Sequence, residues 1–508
     1  MAKRFGMIGV ALGAIALILL GFWKLHALTD GLVVTGSRLG DIPVTIFRSA
    51  STEKAPVIVV AHGFAGSQQL MQPIAVTLAR NGYIAVTFDF AGHGRNRTPL
   101  AGGVADMAMS TRTLLAEIGR MVAFARALPG GDGRVALVGH SMASDLVVQY
   151  AMENPGVAAT VALSLFGRDV TPTNPPNLLV VDGAWEASML TQAGFRIIDA
   201  AGGPGARAGA TYGDVAKGDG RRFVLARGAE HIGVLYSRDA LSETLSWMNE
   251  TFGRQGDGFL DRRGKWLAAL FAGLVALAWP ASRLLPVVSA TPLGADLDWR
   301  RLAPLALAPA ILTPLLLWKA PTDFLPILLG DYLVVHFALY GLLTAGGLWL
   351  TGRARTDAGP RAPSLARLLV AAFALAAYYL LAMGLPIDAY VASFAPTGIR
   401  WLLIPAMFCG TGVYFLADEW LTRGAAAARG GYAFTKLCFL LSLVLAVALN
   451  PYKLFFLVII VPAICLFFVI YGLISGWMYS RTGDPRAAAP GNAIGLAWAI
   501  AVAFPVVG

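Results

Sequence analysis

The stretch VALVGHSMASDLVVQYA, residues 135–151, places a serine between small residues where an apolar strand pattern gives way to a helical one. A serine hydroxyl is a weak nucleophile at neutral pH and becomes a good one only when a base within hydrogen-bond reach takes its proton. It must also stand clear while its neighbours stay packed. A sharp strand-to-helix turn does this, and it needs small residues two positions before and two after the serine, where strand and helix crowd together. Gly139 and Ala143 meet that need around Ser141, with alanine where glycine is commoner. Upstream, VVAHGFAGS (59–67) ends another strand pattern in His62-Gly63-Phe64, a turn whose backbone N–H groups could face a developing oxyanion. The phrase VTFDFAGHGRN (86–96) follows.

These residues need a scaffold. Residues 31–255 alternate short apolar runs with helical patterns and glycine-rich turns, the rhythm of a mostly parallel sheet with helices on both faces. Strands are expected at 55–61, 83–89, 134–139, 159–166, 177–182 and 221–227, with an antiparallel start near 32–36 and 43–48. Ser141 then sits just beyond the strand expected at 134–139.

With these landmarks in order, residues 31–253 resemble the α/β-hydrolase superfamily. The resemblance implies Ser141 as nucleophile, with the N–H groups of Phe64 and Met142 as the oxyanion hole. Its order of serine, acid, histidine requires a base downstream of Ser141 in the same domain. Only His231 in LARGAEHIGVLYS qualifies, because the next histidine, His336, lies in a long apolar run. The acid should follow a late strand and hold the imidazole. In NLLVVDGAWEAS the family spacing of strand, glycine, two residues and acid falls on Gly183 and Glu186, with Asp182 and Asp169 as alternatives. His62 is expected to brace the oxyanion turn, and His93 and His140 to be structural or pocket-lining. The glycines of AGHGRN read as a tight loop, since neither a Walker spacing nor a dinucleotide fingerprint accompanies them. No metal or organic cofactor is indicated. Cys409, Cys438 and Cys465 all lie in apolar runs and suggest neither a disulfide framework nor a zinc site.

The rest of the chain reads differently. Of 508 residues, 56% are apolar and 14% charged, and the mean hydropathy is +0.63, which predicts an integral membrane protein. Lys3 and Arg4 precede an apolar run that reads as an uncleaved anchor rather than a signal peptide. Beyond Gly264, runs near 265–282, 303–318, 329–350, 367–384, 400–417, 435–450, 453–475 and 491–507 are expected to span a bilayer, making nine spans with the anchor. The predicted division is therefore an anchor at 1–28, an α/β-hydrolase domain at 29–258 and an all-α polytopic membrane domain at 259–508.

Residues 31–258 hold 19 basic and 19 acidic side chains, so the net charge of +10 arises in the apolar part and its loops. That placement argues against a nucleic-acid partner. With a cytoplasmic N-terminus, 14 basic residues, among them Arg355, Arg361, Arg423 and Lys436, fall on the cytoplasmic side, against Lys319, Arg400 and Lys453 in the short opposite loops; Arg262, Arg263 and Lys265 run against the bias but close a long translocated domain, where the rule counts for less. The bias predicts a bacterial inner (plasma) membrane protein whose hydrolase domain faces the periplasm. Asp331 and His336, within an apolar segment, are expected to serve packing or anchoring rather than an ion path. Asp388, in the loop GLPIDAYVASFAPTG, is expected to border the hydrolase domain.

The link GRDVTPTNPP between two late strands is too short for a helical lid, which leaves the catalytic face to be covered by the membrane domain or the bilayer surface. The expected function is a serine hydrolase that cleaves an ester or thioester of a hydrophobic or lipid-like substrate through an acyl-enzyme, with membrane lipids as partners. A homo-oligomer is compatible with the sequence. The alternatives are an acyltransferase using the same triad, or a non-catalytic binding domain on a transporter or receptor. A peptidase finds no support, since no acidic pocket for an amine can be read.

Overall fold

Strands buried on both faces read as continuous apolar runs, and the computed structural model places those runs at the centre of one sheet. It describes residues 2–103, 106–167, 169–256, 258–354 and 363–508. Arg355 and Arg361 lie outside the described residues. The strands are β1 (Leu32–Leu39), β2 (Ile42–Ser49), β3 (Ala55–Ala61), β4 (Ile84–Phe88), β5 (Gly131–His140), β6 (Thr160–Leu163), β7 (Leu178–Gly183), β8 (Thr211–Tyr212) and β9 (Arg221–Ala226). They form one nine-stranded sheet in the order β1-β2-β4-β3-β5-β6-β7-β9-β8. From β4 to β9 the neighbours are parallel, while β1, β2 and the edge strand β8 pair antiparallel.

Alternation along the strands sorts their side chains to two faces. Ile58, Val60, Ala136 and Val138 pack with α2 (Gln72–Arg80) and α6 (Arg238–Phe252), where Ile74, Leu78, Leu241 and Trp247 are buried. Val57, Val59, Val135 and Leu137 pack with α3 (Met107–Ala127) and α4 (Met142–Glu153) through Ile118, Met121 and Val147. Helix α5 (Ser188–Gly202) covers the end of the sheet with Ile197 and Ile198 against Phe223. Each fully buried Val or Leu contributes about 1.5–3 kcal/mol. The compact unit built on this sheet comprises Leu20–Ala269 together with two later segments, Ile387–Thr397 and Pro505–Gly508.

The second unit is helical. The chain continues through α7 (Arg263–Ser282), α8 (Trp299–Leu317), α9 (Gly330–Leu350), α10 (Leu365–Ala377), a π-helical turn at Tyr378–Met383, α11 (Gly384–Tyr390), α12 (Arg400–Thr422), α13 (Gly431–Leu449), the short α14 (Pro451–Leu454), α15 (Leu457–Thr482) and α16 (Ala489–Ala503). With α1 (Ala2–Ala27), eight helices among the described residues are long and apolar enough to cross a membrane. The expectation of nine is corrected at α16, which has 15 residues and is about 22 Å long at 1.5 Å per residue. It ends at Phe504 because Pro505 disfavours helical geometry in the residue before it. The buried Arg400 guanidinium donates to its last carbonyls, at 2.6 Å to Ala501 and 2.8 Å to Phe504. Asp388 also differs from its reading as a loop residue, since it sits in α11 at the end of the Leu365–Tyr390 helix.

Inside this unit, Asp331 accepts the N–H groups of Phe324 and Tyr332, and His336 lies between the Tyr332 and Ser442 hydroxyls. A buried charge cluster was not anticipated. Lys436 pairs with Asp418, Arg423 pairs with Glu419 at 3.0 Å, and Asn492 donates to Glu419 at 3.2 Å. Arg423 and Lys436 are thus structural partners of carboxylates, not free loop cations. Removing one member of a buried pair strands the other charge, at a cost of about 3–5 kcal/mol. Lys436→Ala is accordingly expected to lower the melting temperature of the full chain in detergent, and Lys436→Met combined with Asp418→Leu to recover most of the loss. An unchanged melting temperature in Lys436→Ala would contradict this account.

Candidate active site

Ser141 stands between β5 and α4 with φ of 55° and ψ of −122°, a backbone region that costs a non-glycine residue about 1–3 kcal/mol. The crowding expected around it is present. A Cβ on Gly139 would run into the Ala143 carbonyl, and Ala143 is itself fully buried. The His62-Gly63-Phe64 turn passes directly over the serine, since a Cβ on Gly63 would lie 2.9 Å from the Ser141 Cβ and 3.0 Å from the His140 carbonyl. Met142 opens α4, whose first N–H groups have no acceptor within the helix.

His231 follows β9 and precedes a 3₁₀ turn at Gly233–Tyr236. Its Nε2 lies 2.8 Å from the Ser141 Oγ. On its other side, Nδ1 lies 3.5 Å from Glu186 Oε2, longer than a well-formed hydrogen bond but close enough for a carboxylate to orient the ring. Glu186 is fixed through its other oxygen, which accepts from Ser164 Oγ at 2.6 Å and from the Gly183 N–H at 3.1 Å. Burial disfavours its charged form, yet the nearby His231 and the hydrogen bonds from Ser164 and Gly183 outweigh burial and hold the carboxyl below the ordinary range.

The other two carboxylates are placed differently. Asp182 is fully buried in β7, and burial, reinforced by the charge on Glu186, pushes it up to about 8. Asp169 is exposed. The carboxylate that meets His231 is that of Glu186.

His140 has a part that the sequence did not assign in detail. Its Nε2–H donates to the His231 carbonyl at 2.8 Å, and burial, aided by the nearby His231, drives it down to about 3, so the ring stays neutral. It ties the histidine loop to the serine turn. His62 is buried beside Gly63. Its Nδ1–H donates to the Gly63 carbonyl at 2.8 Å, and its Nε2 accepts the Phe90 N–H at 3.1 Å, while burial keeps its pKa below the ordinary value. The loop beyond Phe90 is held by Glu117, which accepts from the Ala91 N–H at 2.7 Å and from Asn96 at 3.3 Å.

Apolar side chains lie beside the histidine in space or in sequence. Phe166 packs edge-on at 6.2 Å between ring centroids, and the neighbours of Glu186 and His231 in sequence, Trp185 and Ile232, are 73% and 37% exposed. Among the described residues, no group of three or more His, Cys, Asp or Glu side chains is arranged to hold a metal ion.

Residues 56–212 match the family described as the alpha/beta hydrolase fold. Similar solved structures include Est1E from Butyrivibrio proteoclasticus, 15% identical, covering 44% of this chain and 99% of that one with a TM-score of 0.31. TT1662 from Thermus thermophilus is also 15% identical over 44% of this chain and 99% of that one, with a TM-score of 0.33. The thioesterase domain from the curacin biosynthetic pathway is 27% identical over 27% of this chain and 47% of that one, with a TM-score of 0.22. No curated protein matches the chain. A parallel sheet with an antiparallel start, a strained serine at the end of its central strand and the match over residues 56–212 show that the chain carries an α/β-hydrolase fold, joined to a helical unit with several candidate membrane spans.

Proposed function

We propose that the protein is a membrane-integrated serine hydrolase that cleaves an ester or thioester of a hydrophobic, lipid-like acid. The observation that carries this reading is the 2.8 Å approach of Ser141 Oγ to His231 Nε2. Ser141 Oγ attacks the acyl carbon as His231 Nε2 takes its proton, and Glu186 stabilises the imidazolium that results. The carbonyl oxygen gains the negative charge and is held by the N–H groups of Phe64 and Met142. Collapse of this adduct breaks the bond to the alkoxide or thiolate, which leaves with the proton from His231. Water then repeats the sequence on the acyl-serine, returning the acid and the free enzyme.

Phe166 packed against the imidazole, with the exposed Trp185 and Ile232 next in sequence to Glu186 and His231, supports a hydrophobic acyl group. The eight apolar helices support residence in a membrane, and the distribution of basic residues supports a periplasmic hydrolase domain at about 29–258, between the 1–28 anchor and the remaining spans. The decisive test is labelling of the full chain with a fluorophosphonate probe. Wild type is expected to take up one equivalent and Ser141→Ala none. Equal labelling of the two would remove the serine from the mechanism.

A further inference from the structure

Two late segments of the chain belong to the hydrolase unit, and one of them is bonded to the 3₁₀ turn at Gln68–Met71 and its flanks, just beyond the oxyanion turn. Ser393 donates its N–H to Ser67 Oγ at 2.9 Å and its hydroxyl to Gln69 Oε1 at 2.9 Å. Gln69 and Gln72 return hydrogen bonds to the carbonyls of Asp388 and Ala389, at 3.3 and 3.2 Å. Asp388 is the organising residue. One carboxylate oxygen accepts the N–H groups of Phe394 and Ala395 at 2.8 and 2.9 Å, folding the segment on itself. The other pairs with Arg95 at 2.7 Å.

Arg95 extends the connection inward. Its backbone N–H donates to Asp89 at 2.9 Å, and Asp89, fully buried, also accepts the N–H of Gln68 at 2.8 Å and its amide at 3.1 Å. Residues 67–69, immediately beyond the Gly63–Gly66 turn, are therefore clamped from both sides. Behind the clamp lies a cavity of about 170 Å³ lined in part by Gln68, Thr87, Arg95 and Asp388. The contacts at residues 67–69 and Arg95 are directed polar ones, each of which is lost when its partner is removed.

Resting on the reading of Ser141 and Phe64 given above, we infer that Ile387–Thr397 is a positioning strap for the oxyanion turn, with Asp388 and Arg95 as its positioning residues. The strap is covalently continuous with the Leu365–Tyr390 helix and with α12. This gives the polytopic part of the chain a task that a single anchor would not perform. The site is complete only when a segment carried between two candidate spans is seated.

The test uses the full chain in lipid nanodiscs with a p-nitrophenyl ester. Asp388→Ala and Arg95→Ala are each expected to lower kcat about 10- to 100-fold, the scale of a displaced rather than a deleted donor, with KM changed less than about twofold. The double variant should lose no more than the worse single variant. Asp388→Asn, which keeps an acceptor for Phe394 and Ala395 but not the charge, should fall between wild type and Asp388→Ala. Fluorophosphonate labelling should reach completion in all of them, only more slowly, and amide exchange in 62–69 should quicken in Asp388→Ala. An unchanged kcat, a loss confined to KM, or multiplying losses in the double variant would overturn the strap. If wild type takes no label, the serine reading fails by itself. Exchange at 62–69 then decides the strap, with faster exchange supporting it and unchanged exchange overturning it.

Discussion

Alanine at Ser141, at His231 and at both together is expected to lower kcat by one common factor, about 10⁴–10⁶, rather than by factors that multiply. In the proposed mechanism the two groups act through a single proton. Without the hydroxyl, the imidazole has nothing to deprotonate; without the imidazole 2.8 Å away, the hydroxyl keeps its proton. What survives is binding and the oxyanion turn, worth about 10³–10⁴ over water in comparable triads. KM should change little, because neither substitution removes Phe166, Trp185 or Ile232, although His231→Ala takes away the ring that Phe166 packs against. Steady-state rates of the two single variants and the double variant, with melting temperatures as a folding control, decide the matter. Multiplying losses would mean that serine and histidine work separately, and a Ser141→Ala enzyme with more than a tenth of wild-type kcat would mean that the serine is not the nucleophile.

The sheet was readable because its physics is local. A strand buried on both faces must be apolar at every position, as APVIVVA is, and a run of that kind announces itself in the sequence. The two-residue β8 carries no such pattern and escaped notice. The serine turn was visible for a steric reason, since Gly139 and Ala143 are spaced by the crowding they must relieve. What was hidden are partnerships between residues far apart in the chain. The Ser164 hydroxyl that fixes Glu186 is 22 residues away from it, His140 is 91 residues from the carbonyl it holds, and Arg95 is 293 residues from Asp388. Spacing says nothing about such pairs until the fold has brought them together.

The apolar half shows the same limit in another form. Hydropathy announced the helices but not their ends, so a run ending in FPVVG was read as a ninth span when Pro505 stops the helix at 15 residues. Two adjacent carboxylates in an apolar run, Asp418 and Glu419, were a signal in plain view. Their burial demands cations, and Lys436 and Arg423 supply them from within the bundle. Positives tallied for orientation should first be set against acids one helix away.

The choice of acid is the second large effect. Glu186→Gln is expected to lower kcat about 10³- to 10⁴-fold, and Asp182→Asn less than about threefold. In Glu186→Gln the amide oxygen can still accept from Ser164 and Gly183, which turns the amide N–H groups toward His231 Nδ1. The imidazole must then accept there and carry its proton on Nε2, facing the serine, where it no longer serves as a base. Asp182 is already uncharged at neutral pH because burial pushes it from 3.8 to about 8, so an asparagine changes little. The same shift sets a test of stability. Between about pH 4 and 8 the folded chain keeps a proton on Asp182 that the unfolded chain has released, so stability falls as pH rises through that window and the loss is complete above it. Asp182→Asn should remove that part of the slope, measured as melting temperature against pH. Glu186, held low, contributes in the opposite sense, with stability present above the ordinary carboxylate range and lost in acid. A large kcat loss in Asp182→Asn beside a small one in Glu186→Gln would move the acid of the triad from Glu186 to Asp182.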